Sequence, residues 1–166
     1  MVRMGVVGHR WFADEATSAF VASRCREHLL SLRDDASAVV AVSALATGSD
    51  TLFAQAAVGL GIPLLAVRPF DRYADDFATE GERRAYGALW SRAERRVRLP
   101  YRSRSDEAYG AAMRWVAARS DVLLAIWDGR PVARAGGTAD AVAHARTLGR
   151  AVLHVDPARG RVLAHG

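Results

Sequence analysis

The stretch Asp121–Gly149, DVLLAIWDGRPVARAGGTADAVAHARTLG, decides the fold. It opens on an apolar run, Val122–Trp127, with no polar alternation, the pattern of a strand buried on both faces. A polar loop, Asp128–Ala135, follows. Gly136-Gly137-Thr138 then leads into a helix over Ala139–Leu148, which Gly149 stops. Strand, glycine loop and helix in this order aim free backbone N–H groups and the positive end of a dipole at the loop. Glycines there let an anion reach the backbone, so a phosphate or carboxylate is the natural guest. A tight turn would need the same glycines without any ligand, and this stretch alone leaves both readings open.

The units before it repeat the pattern. Met4–Val7 is a short apolar strand ending at Gly8-His9-Arg10, and Asp14 caps a helix to about Leu32 with Phe20, Val21, Cys25, Leu29 and Leu32 inward. His9 and Arg10 fall outside a strand's carboxyl end, where open α/β sheets bind ligands, and Arg10 offers a planar fork for phosphate. The alternative is a loop with two solvated side chains. Val39–Ser43 is the second strand. Ala44–Asp50 is its loop, and Ser49 or Asp50 caps a helix over Thr51–Leu60. Thr47, Gly48 and Ser49 add hydroxyl and backbone donors to an anion site. Asp50 opposes a bare phosphate and reads as a cap or as an acceptor for a ribose hydroxyl. Ile62–Val67 is the third strand; Arg68 stands at its carboxyl end, and Phe70 is either a wall for a flat base or a core residue.

The rhythm breaks at Asp71–Phe77, a loop or short helix. Thr79-Glu80-Gly81-Glu82 matches a capping box and opens a helix carrying Tyr86, Leu89, Trp90 and Ala93. Arg96–Leu99 is a fourth strand. The arginines from Arg83 to Arg104 make this the most basic segment. Its aromatic interleaving is poor, so a solvated helix is preferred to a nucleic-acid face. Ser105 or Asp106 starts a helix to about Arg119 with Tyr109, Ala112, Met113, Val116 and Ala117 as its core stripe; Trp115 falls off that stripe. Ala151–Val155 is the sixth strand, and Arg159–Gly166 is a short edge element or tail. The βα alternation implies an α/β fold, a mostly parallel sheet with helices on both faces, in one domain spanning residues 1–166.

Composition bounds the class. The chain has 166 residues, 51% of them hydrophobic, enough for a substantial core. No apolar run is long enough to span a bilayer, so no membrane partner is expected. The N-terminal run meets Gly8-His9-Arg10, not a signal-peptide cleavage pattern. Cys25 is the only cysteine, which excludes an internal disulfide and a four-cysteine zinc site, and the cytoplasm is the expected location. His9, His28, His144, His154 and His165 are scattered without paired carboxylates, so no metal and no cofactor are expected. All 23 basic residues are arginine. That bias fits GC-rich coding, so the net charge of +5 is weak evidence for nucleic acid, which is not an expected partner.

Three pieces in order, Gly5-Val6-Val7-Gly8-His9-Arg10, Ser43–Asp50 before a helix, and Ser120–Asp128 followed by Gly136-Gly137-Thr138, carry a resemblance to the SLOG superfamily. These Rossmann-like domains include LOG-type phosphoribohydrolases, molybdenum-cofactor carrier proteins and Smf-type DNA-processing proteins. The resemblance covers nearly the whole chain. It implies a Rossmann-like three-layer α/β/α sandwich and a pocket for a nucleotide or nucleotide derivative, with phosphate at the Gly136-Gly137-Thr138 turn. The implied ligand-binding set is Gly8, His9, Arg10, Thr47, Gly48, Ser49, Asp50, Arg68, Phe70, Asp128, Gly129, Gly136, Gly137 and Thr138. Self-association is common in such families, so a homo-oligomer is expected, with a C₂ dimer and Trp90 and Trp115 beside its interface.

The similar hydrolases carry P-G-G-x-G-T-x-x-E, whose glutamate serves catalysis. Here Ala135 stands in the proline's place, the glycine pair runs straight into Thr138, and Ala141 occupies the glutamate's position. Asp140 lies one residue early, about 100° around the helix. Two classes of function follow. In the first, the domain holds a nucleotide-like small molecule, for sensing or carrying, without efficient turnover. In the second, it is an N-glycosidic-bond hydrolase or transferase in which Asp128 or Asp140, with Asp50 as a third candidate, is catalytic through oxocarbenium charge. A weaker third reading is a single-stranded DNA binder.

Overall fold

The computed structural model describes residues 1–130 and 137–165, with side chains through 160. Its elements follow the order read from the sequence: β1 (Val2–Gly8), α1 (Glu15–Asp35), β2 (Val39–Ser43), α2 (Ser49–Gly59), β3 (Leu64–Arg68), a 3₁₀ turn (Tyr73–Asp76), α3 (Glu80–Arg92), β4 (Arg95–Arg98), α4 (Asp106–Arg119), β5 (Val122–Ile126), α5 (Thr138–Thr147), β6 (Ala151–Asp156) and β7 (Arg161–His165). The strands form one sheet in the order β4-β3-β2-β1-β5-β6-β7. All neighbours are parallel except β6 and β7, which pair antiparallel from Asp156↔Arg161 to Val152↔His165. The chain is thus an α/β sandwich of three layers, Rossmann-like and mostly parallel, and the C-terminal segment is its antiparallel edge.

Alternation along each strand separates two cores. Met4, Val6, Ala41, Leu64, Ala66, Leu124 and Ile126 face the α1–α2–α3 side, where Val21, Cys25, Leu29, Phe53 and Leu89 meet them. Val7, Val42, Val67, Leu123 and Ala125 face the other side and pack on Ala112, Val116 and Ala117 of α4 and Ala141, Val142 and Ala145 of α5. Burial on both faces is why these strands read as unbroken apolar runs. Asp14 caps α1 by accepting from Thr17 N–H, Ser105 caps α4 through Ala108 N–H, and Thr79 with Glu82 forms a full capping box on α3. Among the described residues no helix is long and apolar enough to cross a membrane.

The expected cap of α2 is corrected. Gly48, without a side-chain cap bond, precedes the helix, which starts at Ser49, and neither Ser49 nor Asp50 caps it. The loop before the helix turns on Gly48 at φ 83°, a conformation that places both side chains inside rather than over the helix end. Phe70 resolves to its core alternative. It is 3% exposed and meets Tyr73 and Tyr109 edge-on.

Candidate functional site

The sheet order creates a crevice. The chain leaves β1 toward β2, β3 and β4, then crosses back to β5 on the other side of β1. Connections diverging from adjacent carboxyl ends leave an open cleft there, the usual ligand position in such sheets. The loop after β1 is wedged into it. His9 N–H donates to Ile126 O at 2.9 Å, while His9 O accepts from both Ser49 N–H (3.0 Å) and Ser49 Oγ (2.9 Å). A Cβ on Gly8 would lie 2.4 Å from Ile126 O, and one on Gly48 would lie 2.3 Å from Arg10 O. Both glycines are therefore required by backbone crowding.

Beneath this loop lies a narrow cleft of about 60 Å³, walled by Gly8, Arg10, Ala44, Asp50, Tyr73 and Tyr109 among others. Arg10 also borders an outer groove with Trp11, Thr47 and Gly48. Its guanidinium lies 4.7 Å over the Tyr109 ring, and Nη1 is 3.7 Å from Asp76 Oδ2. Asp76 is shared further: it accepts from Tyr109 OH and pairs with Arg104 Nη1 at 3.1 Å. Burial alone pulls the Arg10 pKa down. Its bond to Tyr109 and the negative charge of Asp76 oppose that pull, the net shift is upward, and the group stays cationic.

Asp50 is a buried carboxylate at the cleft wall, 6% exposed. It accepts from Ser43 Oγ and Ala44 N–H, both at 3.1 Å, and from Ala46 N–H. Burial pushes its pKa up to about 6, against the opposing pull of these bonds and of Arg10. The three donors all come from the β2–α2 loop and the strand end before it. Asp50 therefore ties that loop shut, and Leu45, fully buried at φ 57°, is held inside the closed turn.

The remaining candidates divide. Asp128 stands just past β5 beside His9: its N–H donates to His9 Nε2 at 3.2 Å, and its Oδ1 accepts Arg130 N–H at 3.0 Å. Gly129 turns with φ 77°. Gly137 N-caps α5, followed by Thr138 at 8% exposure; Asp140 lies exposed in the first turn. Gly136 lies outside the described residues. Arg68 ends β3 at the same sheet edge, yet its Nη2 is 3.6 Å from Asp71 and its guanidinium lies 5.7 Å over the Trp90 ring. Neither Arg68 nor Phe70 borders the cleft. The structure thus gathers Gly8, His9, Arg10, Thr47, Gly48, Ser49 and Asp50, with Asp128 joined through His9.

Sequence reasoning passed over Tyr73, Asp76, Arg104 and Tyr109. Tyr109 reads as the first member of α4's core stripe, and Asp76 sits in the segment where periodicity fails. The available signal was a tyrosine in the first turn of a helix, close to the ligand edge, with a hydroxyl in need of a partner. Trp90 and Trp115 are half-buried, stacked on Tyr86 and beside Arg119 respectively. Trp11, at 73% exposure, is the exposed tryptophan among the described residues. Among those residues, no cluster of three His, Cys, Asp or Glu side chains could hold a metal.

No protein-family model matches the sequence, and no curated protein matches it significantly. Solved structures do match. DNA processing protein A (DprA) from Streptococcus pneumoniae superposes with a TM-score of 0.67 at 21% identity, over 93% of this chain and 50% of that one. The DprA from Helicobacter pylori, whose structure concerns single-stranded DNA binding, gives 0.67 at 14% identity over 93% and 65%. TM1055, a structural-genomics target, gives 0.59 at 15% identity over 92% and 72%. The present chain therefore shares their fold. It spans about half to two thirds of the length of the two DprA chains.

Proposed function

We propose that this chain binds a nucleotide or nucleotide-derived small molecule at the carboxyl edge of its sheet, for sensing or carrying rather than turnover. The observation that carries the reading is the cleft at the β1/β5 switch point with Arg10 as its cationic wall. On the connection that follows β5, the α5 N-terminus at Gly137-Thr138 offers backbone N–H groups to a phosphate. Hydrolysis of a glycosidic bond needs a carboxylate aimed at the anomeric carbon, and misplacement by about 1 Å costs on the order of a hundredfold in rate. Asp50 is spent on its own loop, Asp128 is bonded to Arg130 N–H, and Asp140 stands exposed on α5.

Native mass spectrometry of freshly purified protein should show a co-purified nucleotide-sized ligand, and calorimetry against a nucleoside monophosphate panel should show binding without base release. Gly137→Val should abolish that binding in a folded protein, because a β-branched side chain crowds the turn. Base release that disappears in Asp128→Asn or Asp140→Asn, with binding retained, would establish the enzyme instead.

A second reading has one observation behind it. Arg95, Arg96 and Arg98 of edge strand β4 are all exposed, as are Arg92 and Arg102 nearby, and a single-stranded DNA binder shares the fold. Such a surface tracks a phosphate backbone with steep salt dependence. Fluorescence anisotropy with a single-stranded oligonucleotide separates the readings: salt-sensitive binding lost in an Arg95→Gln/Arg96→Gln/Arg98→Gln variant would select nucleic acid. Sedimentation at micromolar concentration tests the homo-oligomer.

A further inference from the structure

Three donors from three places in the chain converge beside the cleft. Arg10 follows β1, Arg104 precedes α4, and Tyr109 lies in the first turn of α4. Their common partner is one carboxylate, Asp76, whose side chain is 9% exposed. The match is imperfect. Two guanidinium groups face a single negative charge, and the Arg10 contact at 3.7 Å is an ion pair too long for a hydrogen bond. A carboxylate bears two oxygens, whereas a terminal phosphate bears three and more charge, and bidentate guanidinium pairing suits it. The site is also reachable, since the side chain of Arg104 is 71% exposed and that of Arg10 30% exposed.

We propose that Asp76 is an internal anion occupying a site formed by Arg10, Arg104 and Tyr109, and that the phosphate of an incoming ligand binds there by displacing it. The ligand class rests on the nucleotide reading above; the anion site itself does not. Displacement requires only a side-chain rotation. The 3₁₀ turn that carries Asp76 is anchored by Tyr73, 2% exposed and packed edge-on against Phe70 and Tyr86. Asp50 and Tyr73 also face Arg10. They remain in place and give the site a preference for the ligand's anionic end at its Arg104 side, away from the buried carboxylate. Asp76 therefore sets the threshold for binding: every ligand must outcompete it.

The experiment is calorimetric titration with inorganic phosphate and with adenosine monophosphate. Asp76→Asn keeps the shape and removes the competing charge. Phosphate affinity should rise about tenfold, the equivalent of one charge-assisted hydrogen bond freed for the ligand. Arg104→Gln in the Asp76→Asn background should reverse the gain. A folded Asp76→Asn protein with equal or weaker phosphate affinity overturns the proposal, because a purely structural role for Asp76 predicts loss. If Asp76→Asn does not fold, Arg104→Gln alone decides: unchanged phosphate binding refutes the site and weakened binding supports it. Wild-type binding of adenosine monophosphate with no gain in Asp76→Asn refutes this inference and leaves the nucleotide reading standing. Tighter inorganic phosphate in Asp76→Asn with no nucleotide bound by either protein does the reverse.

Discussion

Replacing Gly48 with alanine should destabilise the carboxyl edge of the sheet. Gly48 has φ 83° and ψ −121°, a region that residues with a Cβ rarely enter. Strain of this kind costs about 1–3 kcal/mol. The new methyl would also lie 2.3 Å from Arg10 O and 2.6 Å from His9 O, both backbone atoms that cannot rotate away. Relief requires the β1 loop to move off α2, which breaks the two bonds from Ser49 to His9 O at about 1 kcal/mol each. The combined loss is roughly 3–5 kcal/mol, a large part of a typical domain stability of about 5–15 kcal/mol. Urea denaturation should show that loss as a lower midpoint at unchanged slope, and heating should show a Tm lower by about 6–20 °C. Gly87→Ala is the control. Gly87 lies exposed within α3, and a Cβ there meets nothing within 4 Å, so that variant should gain roughly 0.5–1 kcal/mol. A Gly48→Ala protein within about 1 kcal/mol of wild type would refute the claim that close approach of the two loops dictates glycine.

Two further outcomes concern buried titratable groups. Cys25 is fully buried, and burial first, then Asp50, pushes its thiol up to about 12, so a thiol reagent should label it only in denaturant; labelling of the native protein at the unfolded rate would show the α1–α2 core to be open. Asp50 carries the opposite pH signature from a salt-bridged carboxylate. Its folded pKa of about 6 exceeds the ordinary 3.8, so the native state binds more protons between those values. The stabilising neutral form is present below about pH 4 and lost as pH rises through 6, and each tenfold difference in proton affinity between the folded and unfolded chain is worth about 1.4 kcal/mol. Asp50→Asn should therefore improve relative to wild type by roughly 2–3 kcal/mol between about pH 4 and pH 7 in urea melts; a pH-independent difference would place the ionised carboxylate in a solvated site.

The element order was legible because each strand here is buried on both faces, which leaves an apolar run too short for a helix and bounded by turn residues. Val39–Ser43 and the Thr79–Glu82 capping box appear in the structure as read, and Asp14 caps its helix as expected. Local chemistry also located the carboxyl edge of the sheet, since Gly8, Gly48, Arg68 and Asp128 all follow apolar runs and parallel pairing brings those ends to one side. Strand order was not local. That β1 pairs with β5 as well as β2, setting Met4 opposite Val122, follows from how two faces of helices close over one sheet. The fate of each polar side chain was decided the same way. Asp50 at a helix start looks like a cap, and only the turn at Gly48 and the donors of Ser43, Ala44 and Ala46 draw it inside. Arg68 and Arg10 look equivalent at their strand ends. Arg68 turns to the nearby Asp71 and to Trp90 of α3, whereas Arg10 meets Tyr109 and Asp76 from distant elements. Periodicity determines which face of an element is apolar. Only packing brings Arg10, Asp76 and Tyr109 together, because Asp76 and Tyr109 lie 33 residues apart and share no local pattern.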